Sequence, residues 1–272
     1  MPELPEVETL KRALLPLVKN KILLKLKFFR KDIRFPIPRK KLRKELTGKT
    51  ISGITRRGKY LLMNVPAGAM LWHLGMSGRV VRHSSLEPVE KHTHAIFHFE
   101  PDVYLHFIDP RRFGCILWAP KKEGHPLLNR LGLDPLDGET TPKALIVMAR
   151  NRKTPIKSFL MDSRRITGVG NIYACESLFQ AGIKPMRHAG KLTLAEWEKL
   201  VPALKTTLNN SIASGGTTLR DFFNADNTPG YYAVHLSVYG KENQPCPDCK
   251  APIVRTVHSG RSTFYCKVCQ RK

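Results

Sequence analysis

Leu4, Val7, Leu10, Leu14 and Leu17 recur at the three-and-four spacing of one helix face, which predicts a helix over residues 1–18. Pro5 fits its first turn, and Glu6 and Glu8 suit a positive helix N-terminus. From about 21 to 118 the period drops to two. Strands are expected over 22–29, 50–54, 60–65, 70–74, 79–82, 94–99, 103–108 and 115–118, separated by short turns rich in Gly, Pro and Asp. Leu24-Lys25-Leu26-Lys27-Phe28 alternates apolar with basic residues, as a strand with one basic face does. Many short consecutive strands point to a β-sandwich or barrel. Residues 120–137 turn to Gly, Pro and Leu and read as a linker. Helical signals follow. Thr141-Pro142 opens one helix, another runs from Asn171 to about Ala181 and stops at Gly182, and the capping box Thr193-x-x-Glu196 opens a long one toward Ser214. After Gly215-Gly216 comes a polar loop to about Tyr231. Near the end, two alternating segments flank His258-Ser259-Gly260-Arg261, which reads as a hairpin turn. There is no internal repeat and no low-complexity tract.

The 272 residues allow one large or two medium domains. An apolar run long enough to cross a membrane is missing, and so is a signal peptide, which argues against a membrane-spanning or secreted chain. The balance of 46 Lys+Arg against 22 Asp+Glu, net +24, favours a polyanionic partner, nucleic acid before an anionic membrane surface. The charge is spread out: residues 19–49 hold thirteen basic and two acidic residues, and the tail from Lys241 holds seven and two.

Of six cysteines, Cys246-x2-Cys249-x16-Cys266-x2-Cys269 has the spacing of a tetrahedral zinc site, and two CxxC knuckles bracketing a hairpin form a zinc ribbon. Cys115 and Cys175 are left over and expected to be buried. This usage suits a reducing cytosol.

Candidate chemistry begins at the first residues, Met1-Pro2-Glu3-Leu4-Pro5-Glu6. Removal of Met1 would leave Pro2 a secondary α-amine, a group that titrates around 7.7–8.0 and is partly unprotonated at neutral pH. An amine nucleophile beside Glu3 at a helix start is equipment for Schiff-base chemistry. The same residues also fit a start codon followed by an ordinary amphipathic helix. Met76 and Phe113 sit in turn-like stretches, where an apolar side chain either tucks into the core or, beside Arg on a basic protein, wedges a base step. Thr167-Gly168-Val169-Gly170-Asn171 opens a helix whose N–H groups suit phosphate, and it lacks the third glycine of a dinucleotide fingerprint. His92-Thr93-His94 lacks a third ligand at helpful spacing, so His92 is expected in a loop near phosphate and His94 on a sheet surface. Lys59, alone, reads as a surface lysine at a strand start.

Together these residues resemble the formamidopyrimidine-DNA glycosylase family. The resemblance spans the chain in seven ordered motifs: PELPEVET, RRGKYL at 56–61, HLGMSG at 73–78, DPRRFG at 109–114, TGVGNIYACE at 167–176, GGTTLRDF at 215–222, and the ribbon ending in FYCKVCQ. The sister group, endonuclease VIII, usually has glycine in place of Leu4 and lacks the Met/Arg/Phe wedge.

The resemblance implies an α+β fold: a β-sandwich flanked by helices over 1–130, a linker and first helix over 131–150, a helix–two-turn–helix domain with a lesion-capping loop over 151–238, and a zinc finger over 239–272. It implies a cytoplasmic, nucleoid-associated monomer with one structural zinc ion on Cys246, Cys249, Cys266 and Cys269. Its partner would be double-stranded DNA carrying oxidised purines, 8-oxoguanine or formamidopyrimidines, preferably opposite cytosine, held between the domains. The activity would be bifunctional, base excision followed by β,δ-elimination. Pro2 resembles the nucleophile, Glu3 the acid/base, Lys59 a phosphate-contacting lysine that aids elimination, and Arg261 a phosphate grip that assists δ-elimination. Met76, Arg111 and Phe113 resemble the residues that fill the vacated stack, Arg111 facing the orphaned cytosine. His73, His92, Asn151, Lys157, Asn171 and Tyr239 resemble DNA contacts, and Glu176 a positioning acid. Ser77 departs from members with Glu there. A non-catalytic zinc-ribbon DNA binder and a hydrolytic, monofunctional glycosylase are the two competing classes.

Overall fold

The computed structural model describes residues 2–87, 89–121, 124–217 and 235–271. The described residues form two compact units. One takes Met1–Asn129 with the described part of Ile212–Ala233; the other takes Arg130–Ser211 with the described part of Val234–Lys272. Most of the expected capping loop, from 218 onward, lies outside the described residues.

In the first unit α1 (Leu4–Val18) buries Leu4, Val7, Leu10, Leu14 and Val18. The strands are β1 (Ile22–Phe28), β2 (Lys49–Thr50), β3 (Gly53–Arg57), β4 (Tyr60–Val65), β5 (Gly68–His73), β6 (Arg79–His83), β7 (Thr93–Phe99), β8 (Val103–Ile108) and β9 (Cys115–Pro120), with helix α2 (Arg39–Leu46) between β1 and β2. They form two antiparallel sheets, ordered β2-β1-β7-β8-β6 and β3-β4-β5-β9. The sheets meet through aromatic side chains. Trp72 of β5 lies 5.0 Å from Phe97 of β7 and 6.3 Å from Phe107 of β8, ring centre to ring centre. Truncating a core aromatic of this size costs about 3–5 kcal/mol, a large share of a typical domain's stability.

Three details differ from the sequence expectation. The strand over 50–54 is two strands, because the chain passes there from one sheet to the other, with Ile51 buried at the corner. In β1 the register shifts between Leu23 and Lys25, so Leu23, Leu26 and Phe28 are buried while Leu24 is turned outward, 41% exposed. Helix α2 breaks the basic stretch: its only apolar residues, Leu42 and Leu46, one turn apart, are both fully buried.

The first unit closes with α3 (Pro126–Asn129); the second holds α4 (Pro142–Ala149), α5 (Ile156–Met161), α6 (Asn171–Gln180) and most of α7 (Leu194–Ala213), followed by the hairpin β10 (Ile253–His258) and β11 (Arg261–Cys266). The caps read from sequence are present. Thr141 Oγ1 accepts the Ala144 N–H at 3.1 Å, and Thr193 and Glu196 close a reciprocal box. Cys175 and Phe179 of α6 share an apolar cluster with Val238, Cys246, Ile253, Phe264 and Cys266, so the ribbon packs on that helix. Among the described residues, no helix is long and apolar enough to cross a membrane.

Candidate active site and nucleic-acid interface

Pro2 is buried, two positions before the first helical residue. Glu3 is the N-cap of α1 and is 2% exposed. Glu3 and Glu6 form a capping box: the Glu3 carboxylate accepts the Glu6 N–H, and Glu6 Oε2 accepts the Glu3 N–H at 2.8 Å. The other Glu6 oxygen accepts the Thr217 N–H at 2.8 Å. The head of α1 is therefore pinned through the backbone of Glu3, the residue that follows Pro2.

Lys59 occupies the two-residue turn between β3 and β4, where Gly58 takes φ 58°. A second device on α1 fixes this turn. Glu8 Oε2 accepts from Arg56 Nε at 3.0 Å, and Arg56 donates on to the Gly58 carbonyl at 3.1 Å. Burial would raise the Glu8 pKa, but hydrogen bonds from Lys11 and Arg56 outweigh it and hold the group below the usual carboxylate range.

His73 ends β5, paired with Tyr60, with ring centres 4.7 Å apart. Its Nδ1 accepts the Gly75 N–H at 2.9 Å, so in the neutral ring the proton sits on Nε2. Burial, then the charges of Lys59 and Arg34, press its pKa down to about 4. His73 is thus a neutral N–H donor near neutral pH. Arg34, which nothing in the basic run singled out, also donates its backbone N–H to the Gly114 carbonyl at 3.3 Å.

The turns carrying Met76 and Arg111–Phe113 are mated. Phe113 is 45% exposed, and the Arg111 guanidinium lies 4.9 Å from its ring centre. Asp109, fully buried, accepts from the Ser77 hydroxyl at 2.8 Å and from the Gly114 N–H at 2.7 Å. His92 is an exposed loop residue at φ 70°, its carbonyl accepting the Asp109 N–H. His94 does not face a sheet surface. It is 3% exposed, with Nε2 at 2.8 Å from the Asp109 carbonyl, because the second residue of the pair points inward at the start of β7.

In the second unit the Ser262 carbonyl of β11 accepts both Lys157 Nζ at 3.0 Å and Asn171 Nδ2 at 2.9 Å. Asn171 also donates to the Tyr239 hydroxyl at 3.3 Å, and Lys157, 2% exposed, donates to Thr263 Oγ1 at 2.7 Å. Lys157 and Asn171 thus brace the strand beginning at Arg261, whose own side chain is exposed just after the Ser259-Gly260 turn. Glu176, 1% exposed, accepts three successive N–H groups, those of Ser237, Val238 and Tyr239, at 2.7–2.9 Å. Asn151 is exposed in the turn after α4, at φ 59°.

The thiols of Cys246, Cys249, Cys266 and Cys269 lie within 4.8 Å of one another, with closest pairs at 3.8 and 3.4 Å. Four thiolates at about 2.3 Å from a tetrahedral zinc stand roughly 3.8 Å apart, so the set fits one structural zinc ion. Gln270, 1% exposed, fixes the end of this ribbon by accepting the Cys266 N–H at 2.9 Å and donating to the Ile183 carbonyl at 2.8 Å. Cys115 and Cys175 are both buried, and burial pushes the Cys115 thiol up to about 12.

Comparison with known proteins matches three successive segments of the chain. Residues 1–116 match the formamidopyrimidine-DNA glycosylase N-terminal domain, 131–223 the H2TH domain of the same proteins, and 243–271 a zinc finger found in FPG and IleRS. The chain belongs to the formamidopyrimidine-DNA glycosylase family. A formamidopyrimidine-DNA glycosylase of Acidithiobacillus ferrooxidans is 45% identical over 271 residues, covering 100% of both chains, and one of Methylococcus capsulatus is 46% identical over 273 residues at the same coverage. Among solved structures, the MutM (FPG) protein of Thermus thermophilus superposes with TM-score 0.88 at 38% identity, covering 100% of this chain and 99% of that one. A Lactococcus lactis FPG variant in complex with Fapy-dG-containing DNA gives TM-score 0.91 at 32% identity, covering 100% of both. Formamidopyrimidine-DNA glycosylases are DNA-repair enzymes with a zinc finger, and the cysteine cluster here suits that role.

Proposed function

We propose that the protein is a bifunctional DNA glycosylase and abasic-site lyase that removes oxidised purines from double-stranded DNA, acting on 8-oxoguanine and formamidopyrimidine lesions opposite cytosine. The observation that carries this reading is the buried Pro2–Glu3 pair at the head of α1, fixed by the Glu3–Glu6 capping box, with Glu6 held in turn by the Thr217 N–H. With Met1 removed, the Pro2 nitrogen attacks C1′ of an extruded nucleotide. The C1′–N bond to the base breaks, and the base leaves with a proton. The Pro2 nitrogen gives up its proton, its lone pair closes the C1′=N bond as the C1′–O4′ bond breaks, and O4′ takes a proton; because the amine is secondary, the resulting iminium stays cationic and acidifies the C2′ protons. Loss of a C2′ proton expels the 3′ phosphate, and a second elimination expels the 5′ phosphate. Glu3 supplies and removes protons at the sugar ring.

Lys59 and neutral His73, brought together by the β3–β4 turn and the end of β5, serve phosphate. Arg261 serves phosphate from the ribbon hairpin, and His92, Asn151, Asn171 and Tyr239 are further candidate contacts. In Lys157 the ammonium's bonds to Ser262 and Thr263 favour bracing of the ribbon over direct contact. Met76, Arg111 and Phe113 fill the gap left by the flipped nucleotide, with Arg111 toward the orphaned base.

Borohydride trapping on an 8-oxoguanine·cytosine duplex tests the proposal. The trimmed protein cross-links to DNA and nicks it. A Met1-retaining preparation that traps equally well removes Pro2 from the nucleophile role. Base release without nicking or trapping makes the enzyme a hydrolytic glycosylase.

A further inference from the structure

We infer that Ser77 is a positioning residue that couples the Met76 loop to the Arg111–Phe113 loop, so that the three wedge side chains enter DNA as one body and Arg111 meets the orphaned base in a fixed frame. The inference rests on the wedge reading above.

The two loops are joined on both sides of Met76. On one side Gly75, at φ 63°, lies against the backbone of the other loop: a Cβ there would stand 2.4 Å from the Phe113 carbonyl carbon and 2.5 Å from the Gly114 nitrogen. On the other side Ser77, 8% exposed, donates its hydroxyl proton to Asp109 Oδ1 at 2.8 Å and accepts the Arg111 N–H at 3.2 Å. Asp109 completes the lock. Its Oδ2 accepts the Gly114 N–H at 2.7 Å, and its carbonyl accepts the Arg112 N–H at 3.2 Å and bonds His94 Nε2 at 2.8 Å. Every wedge residue therefore is, or directly adjoins, a point of attachment. Met76 lies between attached residues 75 and 77, and Arg111 is itself attached through its backbone N–H.

In this chain the coupling uses both capacities of a hydroxyl, which gives a proton to the Asp109 carboxylate and receives the Arg111 N–H. A glutamate there would have no proton to give and would set a second carboxylate beside buried Asp109. Alanine would leave the buried Asp109 Oδ1 without this proton, a costly state for a buried acceptor, and would free the part-buried Arg111 N–H from the Met76 loop.

The test uses full-length Ser77→Ala, Ser77→Thr and Phe113→Ala in single-turnover assays on 8-oxoguanine opposite cytosine and opposite adenine, and on a preformed abasic site opposite cytosine. The folded fraction is checked by circular dichroism. Ser77→Ala is expected to slow excision on the order of tenfold. It should also narrow the cytosine-over-adenine ratio and leave abasic-site cleavage near the parent rate. Ser77→Thr, which keeps the hydroxyl, is expected to restore the ratio. Should Ser77→Ala fail to fold, Ser77→Cys, a weak donor, takes its place under the same readouts. If Phe113→Ala slows excision while Ser77→Ala changes neither rate nor ratio, the wedge stands and the coupling falls. Equal losses in Ser77→Ala and Ser77→Thr assign the effect to packing and also overturn the coupling. If Phe113→Ala leaves excision intact, the wedge reading fails and the coupling fails with it.

Discussion

The Glu6 carboxylate receives the backbone N–H of Thr217 at 2.8 Å across 211 positions of sequence, while its other oxygen holds the N–H of Glu3. Both oxygens are thus acceptors for buried donors. Glu6→Gln keeps one acceptor and turns an NH2 group toward an N–H, which costs about 1–3 kcal/mol. At roughly 2–4 °C per kcal/mol for a chain of this size, the melting temperature should fall by several degrees. Borohydride trapping should slow as well, because Glu3 loses its fixed backbone. Unchanged trapping kinetics would show that the Thr217 link does not serve the Pro2 site.

His73 has a folded-state pKa near 4, against 6.5 for the free side chain. Between those values the unfolded chain binds more protons, so stability rises with pH through this window. The contribution is fully present above about 6.5 and is lost as pH falls toward 4. A His73→Gln variant should therefore lose less stability than the parent between pH 6.5 and 4.5, measured by urea titration at each pH. Nitrogen-15 shifts of the His73 ring should stay those of the neutral, Nε2-protonated form down to about pH 5. A ring that titrates near 6.5 would contradict the buried, cation-flanked site.

The ribbon's short hairpin cannot bury enough core to fold alone, so its folding free energy comes largely from metal binding. Arg261 stands at the hairpin tip, paired with His258, and a ribbon folded on its metal is what would hold it there. Cys249→Ser and Arg261→Ala should give similar phenotypes: folded proteins with weak lesion-DNA affinity and accumulated β-elimination product. Zinc content separates them, low in the first and normal in the second. An Arg261→Ala protein with undiminished DNA binding and cleavage refutes the role. Global unfolding of Cys249→Ser would extend the ribbon's influence, through the Gln270–Ile183 bond, to the helices.

DNA affinity should fall steeply with salt. If about five phosphates are neutralised, log K against log[salt] has a slope of roughly −4 to −5. A near-flat titration would show that the +24 charge serves something else.

How far the sequence carried this reading depends on what kind of partner each residue has. α1 was legible because its apolar residues share one face, and the zinc site because cysteine spacing dictates thiol geometry. Helix α2 was not, since six of its eight residues are charged and only Leu42 and Leu46 report a buried side. The bulge at Leu24 hid behind a clean alternation. Ser77 and Asp109 are ordinary turn residues until the fold places them 2.8 Å apart. The least legible role is that of the buried acids. Glu6 and Glu176 bond to backbone N–H groups, which every residue has, so their partners leave no trace in the sequence.

The three N–H groups gathered by Glu176 also make a clock. Ser237, Val238 and Tyr239 are amides that a loop would ordinarily surrender to deuterium within moments, yet all three point at one sequestered carboxylate. Their exchange should be slow and should accelerate together, as a single event, whenever that carboxylate is withdrawn. Three neighbouring reporters on one switch give a direct readout of when the base of the Tyr239 segment lets go.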